Sequence, residues 1–136
     1  MKIPQRFMVV DDDATSNMIC EFALRRFSPN TEIKTFSNPE TALKFIEQSY
    51  ADQNTCKSTV LFLDINMPIL NAWDFLDIFK NFPAHLIENF VIYVLTSSID
   101  SRDKEKADLN PLVSGSLCKP LSTNLVRTIF ESDLHH

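Results

Sequence analysis

The chain contains a single glycine, Gly115, in 136 residues. Glycine takes positive φ at little steric cost, so the loops must be built almost without it. A Gly-rich phosphate cradle of the nucleotide-binding kind is excluded. Cysteine is also scarce: Cys20, Cys56 and Cys118 are odd in number and widely spaced. No Cys-x-x-Cys pair exists, which disfavours a disulfide frame or a zinc site. No apolar run approaches the roughly 18 residues of a membrane span. The start, MKIPQRFMVV, lacks the apolar core and small-residue cleavage site of a signal peptide. A cytoplasmic location is expected, without a membrane partner. The net charge is −5 and no basic run is present, which argues against a nucleic-acid groove. Internal repeats and low-complexity segments are absent as well.

What is present is an ordinary globular composition, 44% apolar and 23% charged, at a length that suits one domain with a sizeable core. Short apolar runs alternate with longer amphipathic ones. RFMVVD (6–11), TEIKTFS (31–37), TVLFLD (59–64), FVIYVLT (90–96) and VSGSLCK (113–119) read as strands. The first, third and fourth are apolar on both faces, whereas the second alternates and is expected to be exposed on one side. A first helix is expected over 14–28, with Ile19, Phe22, Ala23 and Phe27 forming its apolar stripe. Asn38 and Pro39 are a cap and a first-turn proline for a second, with Ala42, Leu43 and Ile46 inward. Residues 72–82 carry Trp73, Phe75, Leu76, Phe79 and Phe82, a third helix; 99–109 is a charge-rich fourth. Ser122 caps a fifth, with Leu125, Val126, Ile129 and Phe130 inward. His85 falls in a predicted loop and has no partner for catalysis.

Five strands alternating with five helices predict an α/β fold, a doubly wound parallel sheet covered on both faces. Ligands of such sheets sit beyond the carboxyl ends of the strands. After the first strand come Asp11, Asp12 and Asp13; after the third, Asp64; after the fourth, Thr96, Ser97 and Ser98; after the fifth, Lys119 and Pro120. Carboxylates suit a hard cation, and a hydroxyl and an ammonium suit phosphate oxygens. Asp11 and Asp12 are neighbours on an extended chain and point to opposite faces. They can serve one metal only if the backbone bends there. Asp13 alone needs no more than the role of a helix N-terminal charge favoured by the dipole.

With VVDDD, LFLDINMP, VLTSS and CKP in that order, each after a predicted strand, the sequence resembles the receiver domain of two-component response regulators. The resemblance implies a flavodoxin-like (βα)5 fold with strand order 2-1-3-4-5, spanning 5–133 with no output domain. It implies Asp64 as phosphoacceptor, Thr96 as switch hydroxyl and Lys119 as the lysine that meets the phosphoryl group. Asp11, Asp12, Asp64 and the backbone carbonyl of Asn66 are implied as Mg²⁺ ligands. Ser98 and Asn66 fall where the family tunes the lifetime of the phosphoryl group. The implied partners are a histidine kinase or phosphotransfer protein and a downstream protein reading the surface of the fourth helix, fifth strand and fifth helix. Self-catalysed phosphoryl acceptance and loss is expected, not turnover of a separate substrate. A phosphohydrolase of the haloacid dehalogenase type wants a second aspartate where Asn66 stands.

Two positions depart from the family pattern. Ser116 stands where an aromatic ring is usual, three residues before the lysine, which raises the alternative of a receiver-like interaction module that does not switch. Ala72 stands where a glycine is common, and alanine would be strained if the backbone there needed positive φ.

Overall fold

A computed structural model describes residues 2–49, 57–97 and 101–131. Strands β1 (Arg6–Val10), β2 (Glu32–Phe36), β3 (Thr59–Asp64), β4 (Phe90–Thr96) and β5 (Val113–Cys118) form one sheet in the order β2-β1-β3-β4-β5, every neighbouring pair parallel. Helices α1 (Ala14–Phe27), α2 (Pro39–Ser49), α3 (Ala72–Phe79), α4 (Ala84–Ile87), α5 (Ser101–Leu109) and α6 (Thr123–Glu131) cover its faces. The predicted fold class and strand order both hold.

The alternation of each strand sorts its side chains between two cores. Met8, Val10, Leu61, Leu63, Ile92 and Val94 pack with Ala42, Ile46, Phe75, Leu76, Phe79 and Ala107 from α2, α3 and α5. Phe7, Val9, Val60, Phe62 and Leu95 pack with Cys20, Leu24, Val126, Ile129 and Phe130 from α1 and α6. Each fully buried Phe or Leu in these layers contributes about 1.5–3 kcal/mol. Strands β1 and β3 are buried along their whole length, which is why their sequences show no polar alternation.

Local signals start the helices where expected. The Asn38 side chain accepts from the Glu40 N–H at 2.8 Å, ahead of Pro39. Ser122 Oγ accepts from the Leu125 N–H at 3.0 Å, and Val126, Ile129 and Phe130 are buried below it. Asn71 caps α3 by accepting from the Asp74 N–H. Ala72 follows it as an ordinary helical residue, because no residue among those described has positive φ. The feared alanine strain does not arise.

Three expectations need correction. The predicted helix over 72–82 ends at Phe79, and α4 forms separately at Ala84–Ile87, carrying His85. Pro83 is the reason: it has no N–H for a continuing helix and disfavours helical geometry in the residue before it. Phe82 still packs edge-on against Phe79, at 5.8 Å between ring centres. The sheet is therefore covered by six helices among the described residues, not five. The stripe on α1 is also rotated. Ile19 and Phe22 are 44% and 64% exposed, and the buried face is Asn17, Cys20, Ala23 and Leu24.

Candidate functional site

Asp11 continues the alternation of Phe7 and Val9, and Asp64 that of Val60 and Phe62. Both carboxylates therefore start on the same side of the sheet, at the carboxyl ends of adjacent strands. Asp12 would point away, but β1 stops at Val10 and the chain bends at Asp12. The bend is built from hydrogen bonds. The Asp11 N–H donates to the Phe36 carbonyl at 3.0 Å, one residue beyond the strand ladder. The Asp13 N–H donates back to Asp11 Oδ1 at 2.9 Å, and the Thr15 N–H donates to Asp13 Oδ1 at 2.9 Å. Asp13 is thus the N-cap of α1. The turn brings carboxylate oxygens of Asp11, Asp12 and Asp64 within 4.8 Å of one another.

Lys119 closes the cluster from the far side. Its Nζ lies 2.7 Å from Asp11 Oδ2 and 3.1 Å from Asp64 Oδ1. It is placed by the end of β5, where its N–H donates to the Thr96 carbonyl at 2.8 Å, and the following Lys119–Pro120 peptide bond is cis.

The charges are unequal. Asp11 is fully buried. Burial alone would raise its pKa, but hydrogen bonds from Lys119, Ser16 and the Asp13 N–H outweigh that and hold it below its ordinary value. Asp64 is pushed up to about 6, first by burial and then by the neighbouring Asp11 charge, against the pull of Lys119. Lys119 loses by burial and gains more from the two carboxylates, so its ammonium is held above the ordinary value. Two carboxylates and one ammonium leave an excess of negative charge in a poorly solvated place, with Asp12 beside it. Three oxygen-bearing groups at this spacing are a donor set for a hard divalent cation. Among the described residues this is the group able to hold a metal ion.

Asn66 is exposed in the loop after β3, with its N–H 3.4 Å from Asp64 Oδ1. Thr96 is buried at the end of β4, beside Cys118 of β5, and Ser116 is paired with Val94 two residues back. A cavity of about 210 Å³ lies there, lined by Ile65, Thr96, Ser116, Leu117 and Cys118 of the sheet end and by Asp103 and Lys104 of α5. It occupies the side of Ser116 where a larger side chain would project. Ser98 lies outside the described residues.

No protein-family model matches the chain, and no curated protein does. Solved structures do. A two-component response regulator from Cytophaga hutchinsonii is 27% identical, with 96% of this chain and 97% of that one covered and a TM-score of 0.83. The fold is that of a response-regulator receiver domain. A receiver protein from Dyadobacter fermentans superposes at a TM-score of 0.81, with 24% identity over 93% of this chain and 95% of its own. A chemotaxis protein of Vibrio cholerae does so at 0.73, with 18% identity over 93% and 96%.

The sequence motifs miss two residues of this site, both on α1. Ser16 stands close enough to the Asp11 carboxylate to help hold its pKa down. Asn17 is 7% exposed and donates from Nδ2 to the carbonyls of Asp11, at 2.8 Å, and Phe36, at 3.3 Å. A signal existed: Asn17, Cys20, Leu24 and Phe27 are spaced 3, 4 and 3 apart, a helical stripe that begins with a polar residue. The hydrophobicity of Ile19 and Phe22 drew the stripe to the wrong face.

Proposed function

We propose that this chain is a phosphoryl-accepting receiver, with Asp64 as the acceptor. The observation that carries the reading is the bridge from Lys119 Nζ to both Asp11 and Asp64 within the acidic trio. Asp11, Asp12, Asp64 and the Asn66 carbonyl would hold Mg²⁺, whose charge, when bound, neutralises the carboxylates and the oxygens of an incoming phosphoryl group. An Asp64 carboxylate oxygen attacks phosphorus as the donor's N–P bond breaks, leaving the donor imidazole with the electron pair. Lys119 stands where negative charge develops on the transferring group and pairs with it there. Asp11 keeps Lys119 charged and aimed. The Thr96 hydroxyl then meets a phosphoryl oxygen, and Asn66 and Ser98 set how readily water reaches the acyl phosphate. The donor is a histidine kinase or phosphotransfer protein in the cytoplasm. The readout is the surface of α5, β5 and α6, taken by a downstream protein. Loss of the phosphoryl group is self-catalysed, with no separate substrate turned over.

A second reading has its own observation. Ser116 and the cavity beside Thr96 put no ring where a moving hydroxyl would displace one. A receiver-like interaction module that is phosphorylated weakly, or without a change at α5 and β5, fits that feature.

Acetyl phosphate with Mg²⁺ tests the first reading. Intact-mass spectrometry is expected to show one added phosphoryl group on the wild type and none on Asp64→Asn; labelling that survives in the variant overturns the assignment. Amide spectra with Mg²⁺ and beryllofluoride separate the readings. Shifts spreading from Asp64 to α5 and β5 support the switch, and shifts confined to the site support the module.

A further inference from the structure

We infer that Asn17 is a positioning residue for the cation site, acting by clamping the bend that turns Asp12 toward Asp64. The inference rests on the receiver reading of that site.

Asparagine is a costly choice at this position. It is a weaker helix former than leucine or alanine, and it faces the core shared by Cys20 and Leu24 of the same helix. Its Oδ1 is buried and takes no hydrogen bond. Burying an unmet acceptor is unfavourable, so packing does not explain the residue. The amide nitrogen does. Nδ2 donates to the carbonyl of Asp11 at 2.8 Å and to that of Phe36 at 3.3 Å. These are the residues where β1 and β2 end side by side, and the Phe36 carbonyl already accepts from the Asp11 N–H. One carboxamide therefore ties the ends of two strands to the first turn of α1, at the residue after which the chain must leave the sheet.

The geometry has a consequence for the carboxylates. A strand that ran on through Asp12 would put its side chain on the face opposite Asp11 and Asp64. The Asp11 carbonyl is the last peptide oxygen before the bend, and holding it fixes the peptide plane from which Asp12 turns back. The Asp13 N–H to Asp11 Oδ1 bond spans the same turn but uses up one oxygen of a carboxylate needed for charge. Asn17 braces the turn from the backbone side without drawing on a carboxylate oxygen. Groups that orient metal ligands in this way typically change metal affinity by about 10–100-fold when removed.

The test is a Mg²⁺ titration followed by NMR amide shifts, with amide hydrogen exchange at Asp12 and Asp13 in the metal-free protein as a second readout. Asn17→Leu keeps the shape and removes the donors; Asn17→Ser is a smaller, more tolerant change should the leucine variant not fold. Leu24→Ala is the control, since it loosens the same helix without touching Asp11. Both Asn17 variants are expected to bind Mg²⁺ about ten-fold more weakly and to exchange faster at Asp12 and Asp13, while Leu24→Ala does neither. Wild-type-like affinity and exchange in the Asn17 variants overturns the inference, as does an equal loss in Leu24→Ala. If the wild type itself binds no Mg²⁺, the receiver reading of the site falls instead, and exchange at the bend alone decides whether Asn17 clamps it.

Discussion

The two flanks of the Asp64 site are built differently. On one side, β1, β3 and α1 meet in buried strands, and the turn through Asp11, Asp12 and Asp13 is tied by hydrogen bonds at nearly every step. On the other side, β5 is an edge strand with no fully buried residue, and its pairing with β4 is interrupted between Ile92 and Tyr93. Among the described side chains of α5 only Ala107 is buried, and the 210 Å³ cavity opens beneath the helix's first turns. The first flank holds charges in fixed positions, which needs rigidity. The second has little apolar area to lose if α5 shifts over the sheet. Under the proposed function, the phosphoryl group would be held on the first flank and reported on the second.

The largest effect that would break this contrast is at the proposed phosphoacceptor. Asp64→Asn removes the proposed phosphoacceptor oxygen from the rigid flank, and acetyl-phosphate labelling is expected to fall to background by mass spectrometry. The next is dynamic. Amides of α5 are expected to exchange at least about ten-fold faster than those of β1 and β3, through local opening. Equal protection on both flanks would erase the distinction.

The third effect is electrostatic, and its sign follows from the raised Asp64 pKa. The folded metal-free protein holds a proton on Asp64 up to pH about 6, whereas the unfolded chain releases it near the ordinary carboxylate value of 3.8. The folded state therefore binds more protons between those values, and stability falls as pH rises through that window, by about 2–3 kcal/mol. Asp11 is held below its ordinary value and acts in the opposite sense at lower pH. Denaturant melts from pH 4 to 7 without divalent cations are expected to show the fall, and Asp64→Asn to remove it. Mg²⁺ is expected to restore stability near neutral pH in proportion to its occupancy. The smallest effect is at Ser116. Ser116→Phe places a ring toward the cavity and is expected to change stability by no more than about 1 kcal/mol, read as a shift in denaturation midpoint.

Much of this was legible before the structure. The apolar runs gave the strands, because a parallel sheet buried on both faces has no polar side to show. Asn38–Pro39 and Ser122 marked helix starts through local chemistry that depends on nothing distant. Asp11, Asp64 and Lys119 were legible because the carboxyl ends of parallel strands converge. The rotation of α1 was not. Ile19 and Phe22 are as apolar as any core residue, and only the placement of β2 and α6 against the helix decides that Asn17 and Cys20 face inward. The break before α4 was readable from Pro83 and was overridden by a run of phenylalanines.

The amino-acid order by itself determined which side chains arrive at the ends of the strands, since alternation and element length are local properties. It also determined that no phosphate cradle of glycines would form. The tertiary structure alone decided how the charges there are balanced. Lys119 lies 55 residues after Asp64 and 108 after Asp11, and it meets both only because β1, β3 and β5 end at the same edge of one sheet. The raised pKa of Asp64, the clamp at Asn17 and the empty space beside Ser116 all come from that packing. Each depends on distances between segments that a linear chain does not hold.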